Sequence, residues 1–477
     1  MLLTERLKSD SGYGWVMAQL SALTPFGRAL ARAPKWYGPG DRAALDAELA
    51  NLERALSLMH AGNSALASLN VAFQAFRDPR NSLNRPEDAP MDEVELFEIK
   101  YFLLTLSHLL DRYAAIAPFE GIEFQLQEDL LALLDPTGRK LPVFSIEDSY
   151  SPALAEVRKD KAALEEALRP LPAGPERDEL LDRRRLLALK EDELELAVRR
   201  ELTRRVLAEK EALLANMNAV GRLDFLLAKA RLARRFGCVR PVIGEERVIR
   251  GEDMTHPEVS AVLTEHNRAF TPISLELGQG ATVITGANMG GKSVALKTTT
   301  LNQLLLQTGF FIFAQSYTAP LFHSVTLLLA DNQSVERGLS SFGAEVTVLN
   351  DLLQETKGRF FFLALDEFAR GTNPREGAAL ARALAEYLCK LPCVSLMTTH
   401  YDGVSEAAAA HYQVTGLRDL APEECIPGED PLNRLARMMD YRLIPAPPGV
   451  PCPRDALRVC RLLDLEPQLL EIFSQNG

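Results

Sequence analysis

At 477 residues, with 47% hydrophobic and 25% charged residues, the chain is long enough for two to four domains that bury their cores without disulfide or metal staples. A formal net charge of -12, from 53 Lys plus Arg against 65 Asp plus Glu, is the wrong sign for a protein whose whole surface coats a polyanion, although a local basic groove stays open. Six cysteines (Cys238, Cys389, Cys393, Cys425, Cys452 and Cys460) without a CxxC pair or interleaved histidines exclude zinc sites of the usual spacing and read as reduced, mostly buried thiols.

The N-terminal "MLLTERLKSDSGYGW" has no apolar core of signal-peptide length, and no run of about 20 apolar residues occurs, so a cytoplasmic chain without membrane contact is expected. Residues 1–150 read as a helical domain: "DRAALDAELANLERALSLM" and "EVELFEIKYFLLTLSHLLDRY" place apolar residues three and four apart, and "WYGPGD" and "NRPEDAP" punctuate the gaps. Residues 151–239 read as a long helical arm. Its first part, 151–210, holds 14 basic and 14 acidic residues, and both signs alternate, as on a solvated face. "RPLPAGPER" is the expected turn between a shorter helix and a long one.

From residue 240 to 477 the pattern changes to short apolar runs separated by turns: "TPISLEL", "ATVIT", "SVTLLLA", "RFFFLALDE" and "CVSLMTTH". Such runs, alternating with helical segments, predict an α/β domain with a mostly parallel sheet. Within it, "ATVITGANMGGKSVALKTTT" satisfies G-x-x-x-x-G-K-[ST] between a strand and a helix, the context in which that motif is a phosphate-binding P-loop. Glycines let backbone N–H groups converge on an anion, and the helix N-terminus adds partial positive charge. Gly286, Ala287, Asn288, Met289, Gly290, Gly291, Lys292, Ser293 and Val294 are therefore the candidate nucleotide-binding residues, with Lys292 on the β and γ phosphates and Ser293 on Mg2+.

"RFFFLALDE" ends an apolar strand in Asp366 and Glu367, placing carboxylates at the sheet's carboxyl edge, where open α/β folds bind ligands. Asp366 suits the Mg2+ shell, and Glu367 suits the water that attacks the γ-phosphate, as its base. His400, ending "CVSLMTTH", is placed to reach the same phosphate. "SVERGLSSFGAEVTVL" sets glycine and serines ahead of a helix, either capping it or offering donors to a phosphate. Phe270 reads either as an adenine platform or as an apolar strand entry, Gln315 either as a Mg2+ sensor or as the end of a connection, and His256 as a turn residue.

Taken in order, "TGANMGGKS", "GLSSFGAE", "LALDEFARGTNPREG" and "TTHY" resemble the ATPase domain of the MutS family, a branch of the ABC-type ATPases. "DNQSVERGLSSF" and "NPREGAALARAL" are closer to the bacterial paralogue group that suppresses recombination. The resemblance implies an α/β P-loop NTPase domain joined to an N-terminal all-α core and long helical lever arms. It also implies ATP and Mg2+ as ligands, and a homodimer or heterodimer in which Ser340 completes the γ-phosphate site of the other subunit. Mismatch-recognition, clamp and nuclease domains are expected to be missing, and "PAPPGVPCP" crowds prolines where relatives have serine and glycine. Two clients compete. Neutral, uninterrupted arms favour a protein client, as in MutS-like proteins implied to reactivate adenosylcobalamin-dependent aminomutases such as lysine 5,6-aminomutase. The alternative is mismatched or branched DNA in repair or recombination.

Overall fold

The computed structural model describes residues 3–86, 89–286, 291–329, 341–419, 430–453 and 455–476. The chain divides into two compact units, one made of Met1–Leu20, Pro34–Leu56 and Lys229–Gly477, the other of Ser21–Ala33 and Ser57–Ala228. None of the described helices is long and apolar enough to cross a membrane.

In the second unit the described residues form helices without strands. Helix Glu93–Tyr113 starts at a capping box, in which Asp92 accepts from the Glu95 N–H and Glu95 accepts from the Asp92 N–H. Its Leu96, Ile99, Leu103 and Leu106 follow the helical repeat and are fully buried. Phe26, Phe76 and Phe102 meet with ring centroids 5.8 to 6.2 Å apart. Helix Pro152–Leu168 pairs with the 34-residue helix Pro175–Ala208. Charges of both signs join the two: Arg158 donates to Glu191 (3.1 Å) and Glu195 (2.8 Å), and Lys161 also donates to Glu191.

The first unit carries the strands: β1 (Val242–Ile243), β2 (Ile249–Met254), β3 (Ile273–Leu277), β4 (Gly280–Thr285), β5 (Ser316–Ala319), β6 (Ser324–Leu328), β7 (Phe361–Leu365), β8 (Cys393–Thr399), β9 (Ala410–Leu417) and β10 (Met439–Pro445). Six form a sheet in the order β10-β9-β4-β8-β7-β6, parallel except for the β10 edge. The other four form a second sheet, β1-β5-β2-β3, in which β2 is antiparallel to both neighbours.

"TPISLEL" does not join the parallel sheet: β3 alternates buried and exposed residues, the mark of a one-sided antiparallel strand. By contrast β4, β7 and β8 are buried at every position, as interior parallel strands are.

Helix Lys292–Gln307 follows β4 and is buried nearly throughout. Its polar residues are satisfied internally. Thr298, Thr299 and Thr300 donate to carbonyls one turn back at 2.7 to 2.9 Å, while Gln303 and Gln307 donate to Pro320 O and Phe322 O.

In the second unit Asp224, fully buried, accepts the N–H groups of Leu23 and Thr24 and the Thr24 hydroxyl at 2.7 to 3.1 Å. Removing the carboxylate strands three donors. We expect Asp224→Ala to lower stability by about 3 kcal/mol, read as a lowered urea midpoint by circular dichroism.

Candidate functional site

The carboxyl ends of β4, β8 and β7 lie side by side, because β8 pairs with both neighbours. The chain leaves β4 through Gly286, whose φ is +148° and where a Cβ would meet Val414 Cβ at 2.9 Å. It enters the helix through Gly291, at φ +77°, where a Cβ would meet the Tyr441 ring at 3.2 Å. Both positions require glycine, the first mainly for space and the second for its left-handed backbone.

Lys292 is 4% exposed, and its Nζ donates to the Gly286 carbonyl at 2.7 Å and sits 3.3 Å from Glu367 Oε1. Ser293 Oγ donates to Asp366 Oδ2 at 2.8 Å. The other Asp366 oxygen accepts from Thr398 Oγ1 at 2.6 Å, and the same hydroxyl accepts the Glu367 N–H at 3.0 Å. Arg370 Nη1 lies 3.3 Å from Glu367 Oε2. His400 Nδ1 lies 3.7 Å from Glu367 Oε1, beyond hydrogen-bond length, and is buried with no hydrogen-bond partner among the described residues.

This setting fixes the charge on Glu367. The neighbouring His400 imidazole, with the Lys292 ammonium, holds its carboxyl down at about 2 against the opposing effect of burial. The backbone beneath is strained: Glu367 and Ala369 take φ +43° and +64°, which for residues other than glycine costs on the order of 1–3 kcal/mol each. Glu345, on helix Ser341–Glu355, accepts the buried Ala369 N–H, and burial pushes its own carboxyl up to about 7 while that N–H pulls the other way.

The structure thus brings together Gly286, Gly291, Lys292, Ser293, Asp366, Glu367 and His400. Phe270 and Val294 line a cleft of about 540 Å³ with Gly291, Arg437 and Tyr441. Ala287, Asn288, Met289, Gly290 and Ser340 lie outside the described residues. Gln315 is exposed just ahead of β5, its N–H donating to Glu252 O. His256 caps helix Pro257–Glu265 by accepting the Val259 N–H, while Nε2 bonds Ser11 O at 3.1 Å. Burial lowers its pKa to about 4.

Sequence reasoning missed Thr398, Arg370 and Tyr441. Thr398 and Arg370 stand inside quoted motifs, and their strand-end and turn positions were the available signal. Tyr441 lies over 140 residues from the loop it faces. The proline-rich segment packs on the same edge: His411 donates through Nδ1 to Pro447 O, Gln413 donates to Pro451 O, and the Cys452 N–H donates to Asp402. Burial and Asp402 push the Cys452 thiol up to about 11.

The donors fit a magnesium-bound polyphosphate. Two glycines that leave no room for a side chain, Gly286 and Gly291, precede a buried ammonium, and a hydroxyl paired with a carboxylate offers the hard oxygen ligands that Mg2+ takes.

Residues 282–424, which include Gly286, Lys292, Ser293, Asp366, Glu367 and His400, match the family model described as MutS domain V. The chain is also similar to proteins named Endonuclease MutS2. It is 34% identical to that of Latilactobacillus sakei over 47% of this chain and 28% of the relative, and 33% identical to that of Symbiobacterium thermophilum over 60% and 34%. With the Acetivibrio thermocellus protein it shares 36% identity over 42% and 25%. The similarity to MutS domain V and to these relatives concerns part of the chain, which spans about a quarter to a third of the length of the relatives.

The depressed Glu367 carboxyl stabilises the fold in one pH direction. Its pKa falls from 4.5 unfolded to about 2 folded, so its contribution is complete above about 4.5 and is lost as pH drops through about 2. The gap in urea midpoint between wild type and Glu367→Gln should therefore be widest at pH 6 to 7 and narrow steadily toward pH 3.

Proposed function

We propose that the chain is a MutS-type, Mg2+-dependent ATPase whose client is DNA, mismatched or branched, in repair or recombination. The observation that carries this reading is the meeting of Lys292, Ser293, Asp366, Glu367 and His400 at one sheet edge, within a segment similar to MutS domain V. Similarity to relatives named as endonucleases, which act on nucleic acid, favours DNA over the aminomutase client expected from the neutral arms. Neither the family match nor these relatives support the aminomutase reading.

In this reading residues 286–294 form a P-loop around the ATP phosphates, and Lys292 exchanges Glu367 for the β and γ phosphates. A bound Mg2+ would neutralise charge on the phosphate oxygens. Ser293 and Asp366 are the side chains that would hold it, and Thr398 keeps Asp366 turned toward Ser293. Glu367 orients the attacking water and accepts its proton. Departure of Lys292 toward phosphate removes a cation that depresses the Glu367 carboxyl, which makes it a better base. His400 steadies the γ-phosphate, and Phe270 stacks on adenine in the neighbouring cleft.

Two chains, or this chain and a relative, enclose two ATP molecules, with Ser340 touching the phosphate held by the other subunit. A phosphate bridging subunits ties their affinity to the nucleotide state. Residues 1–150 then serve as helical core, 151–239 as the arm that moves, and 240–477 as the ATPase.

Three measurements test this. Lys292→Ala should lose at least tenfold in Mg-ATP affinity. Glu367→Gln should bind Mg-ATP, dimerise on size-exclusion chromatography and turn over at least a hundredfold more slowly. A gel shift with four-way-junction DNA should show binding at 50 mM salt that weakens steeply by 200 mM; no binding at low salt would remove the DNA client while leaving the ATPase standing.

A further inference from the structure

Glu345 has no role in the chemistry above, yet it holds the turn that carries Glu367. Both of its carboxylate oxygens lie 3.3 Å from the Ala369 nitrogen. Ala369 is fully buried, so water cannot take over that N–H. On its other side the Ala369 carbonyl accepts from Tyr401 Oη at 3.1 Å, and the Glu367 N–H is taken by Thr398 Oγ1 at 3.0 Å. Between these anchors stand the two left-handed residues Glu367 and Ala369.

A turn of this kind keeps its shape only when fixed on several sides. Thr398 and Tyr401 belong to β8 and the residues just after it, and helix Pro374–Leu388 presses from another direction. A Cβ at Gly377 would fall 2.5 Å from Tyr401 Oη and 2.8 Å from Ala369 O. Glu345 supplies the fastening from a third direction, across helix Ser341–Glu355. Phe342, Leu349, Leu352 and Leu353 of that helix pack into the same apolar cluster as Phe368 and Ala369, so the carboxylate is delivered from a fixed platform. Without it the Ala369 N–H is stranded in the interior, and the turn relaxes toward a conformation that re-aims Glu367.

We propose that Glu345 is a positioning residue for ATP hydrolysis, fixing Ala369 and, through the left-handed turn, the direction of the Glu367 carboxylate. This rests on the ATPase reading and on Glu367 acting at the attacking water. Nucleotide affinity is assigned to Lys292 and Ser293, so it should be independent of Glu345.

The full chain is tested as wild type, Glu345→Ala, Glu345→Gln and Glu345→Asp, by steady-state ATP turnover, titration with Mg-ADP and thermal melting. Glu345→Ala should lose about tenfold in kcat with KM and Mg-ADP affinity within twofold of wild type. Glu345→Gln keeps a carbonyl oxygen for the Ala369 N–H and should stay within threefold of wild type. Glu345→Asp keeps the charge but withdraws it by one methylene and should behave like the alanine variant. Should the alanine variant fail to fold, the Gln and Asp pair decides. Equal turnover in all variants, equal loss in Gln and Ala, Asp as active as Gln, or a kcat loss matched by weaker Mg-ADP binding overturns the positioning role and leaves the ATPase reading intact. A wild-type chain that binds no Mg-ADP and hydrolyses no ATP overturns both.

Discussion

A buried ammonium group governs the carboxyl edge of the parallel sheet. Lys292 is almost sealed from solvent, and a cation so placed persists only beside groups that replace its water. The Gly286 carbonyl and the Glu367 carboxylate do so, and each is where it is because a strand ends there. The compensation also constrains the partner: His400 and this ammonium hold the Glu367 carboxyl near the bottom of its range, where it is a dependable anion and a poor proton acceptor. In the proposed mechanism, charge balance and readiness for chemistry are opposite settings of one ion pair.

The backbone around that pair is costly, and the surrounding structure sustains it. Glu367 and Ala369 occupy left-handed conformations directly after β7, a strand buried at all five positions. Thr398 serves both neighbouring acidic residues at once, through one hydroxyl that donates to Asp366 and accepts from the Glu367 backbone. Strain concentrated beside titratable side chains is the usual companion of a working site.

Much of this was legible in the sequence, for identifiable reasons. "ATVIT", "RFFFLAL" and "CVSLMTT" are unbroken apolar runs because interior parallel strands are covered on both faces, and they proved to be β4, β7 and β8. The polar residues that end them fall at one edge because parallel strands end together. The second sheet was not legible: β1 has two residues, β2 interrupts its pattern with charges, and β3 has the alternation of a half-exposed strand. Thr398, Tyr441 and Glu345 were equally hidden, because their partners are 24 to 150 residues away along the chain and only tertiary packing brings them within reach. The arm is the converse case. Its charges read as a solvated face, and part of them in fact join its two helices through Arg158 and Lys161.

The interior of helix Lys292–Gln307 has a mechanical corollary. The hydroxyls of Thr298, Thr299 and Thr300 bond within the helix, and its far end is bolted to Phe322 and Tyr37 through the Gln307 amide. Sixteen residues at about 1.5 Å each make a rod of roughly 24 Å with no glycine or proline at which to flex. Its two ends are therefore held at a fixed separation, Lys292 at the carboxyl edge of the parallel sheet and Gln307 against Phe322 and Tyr37.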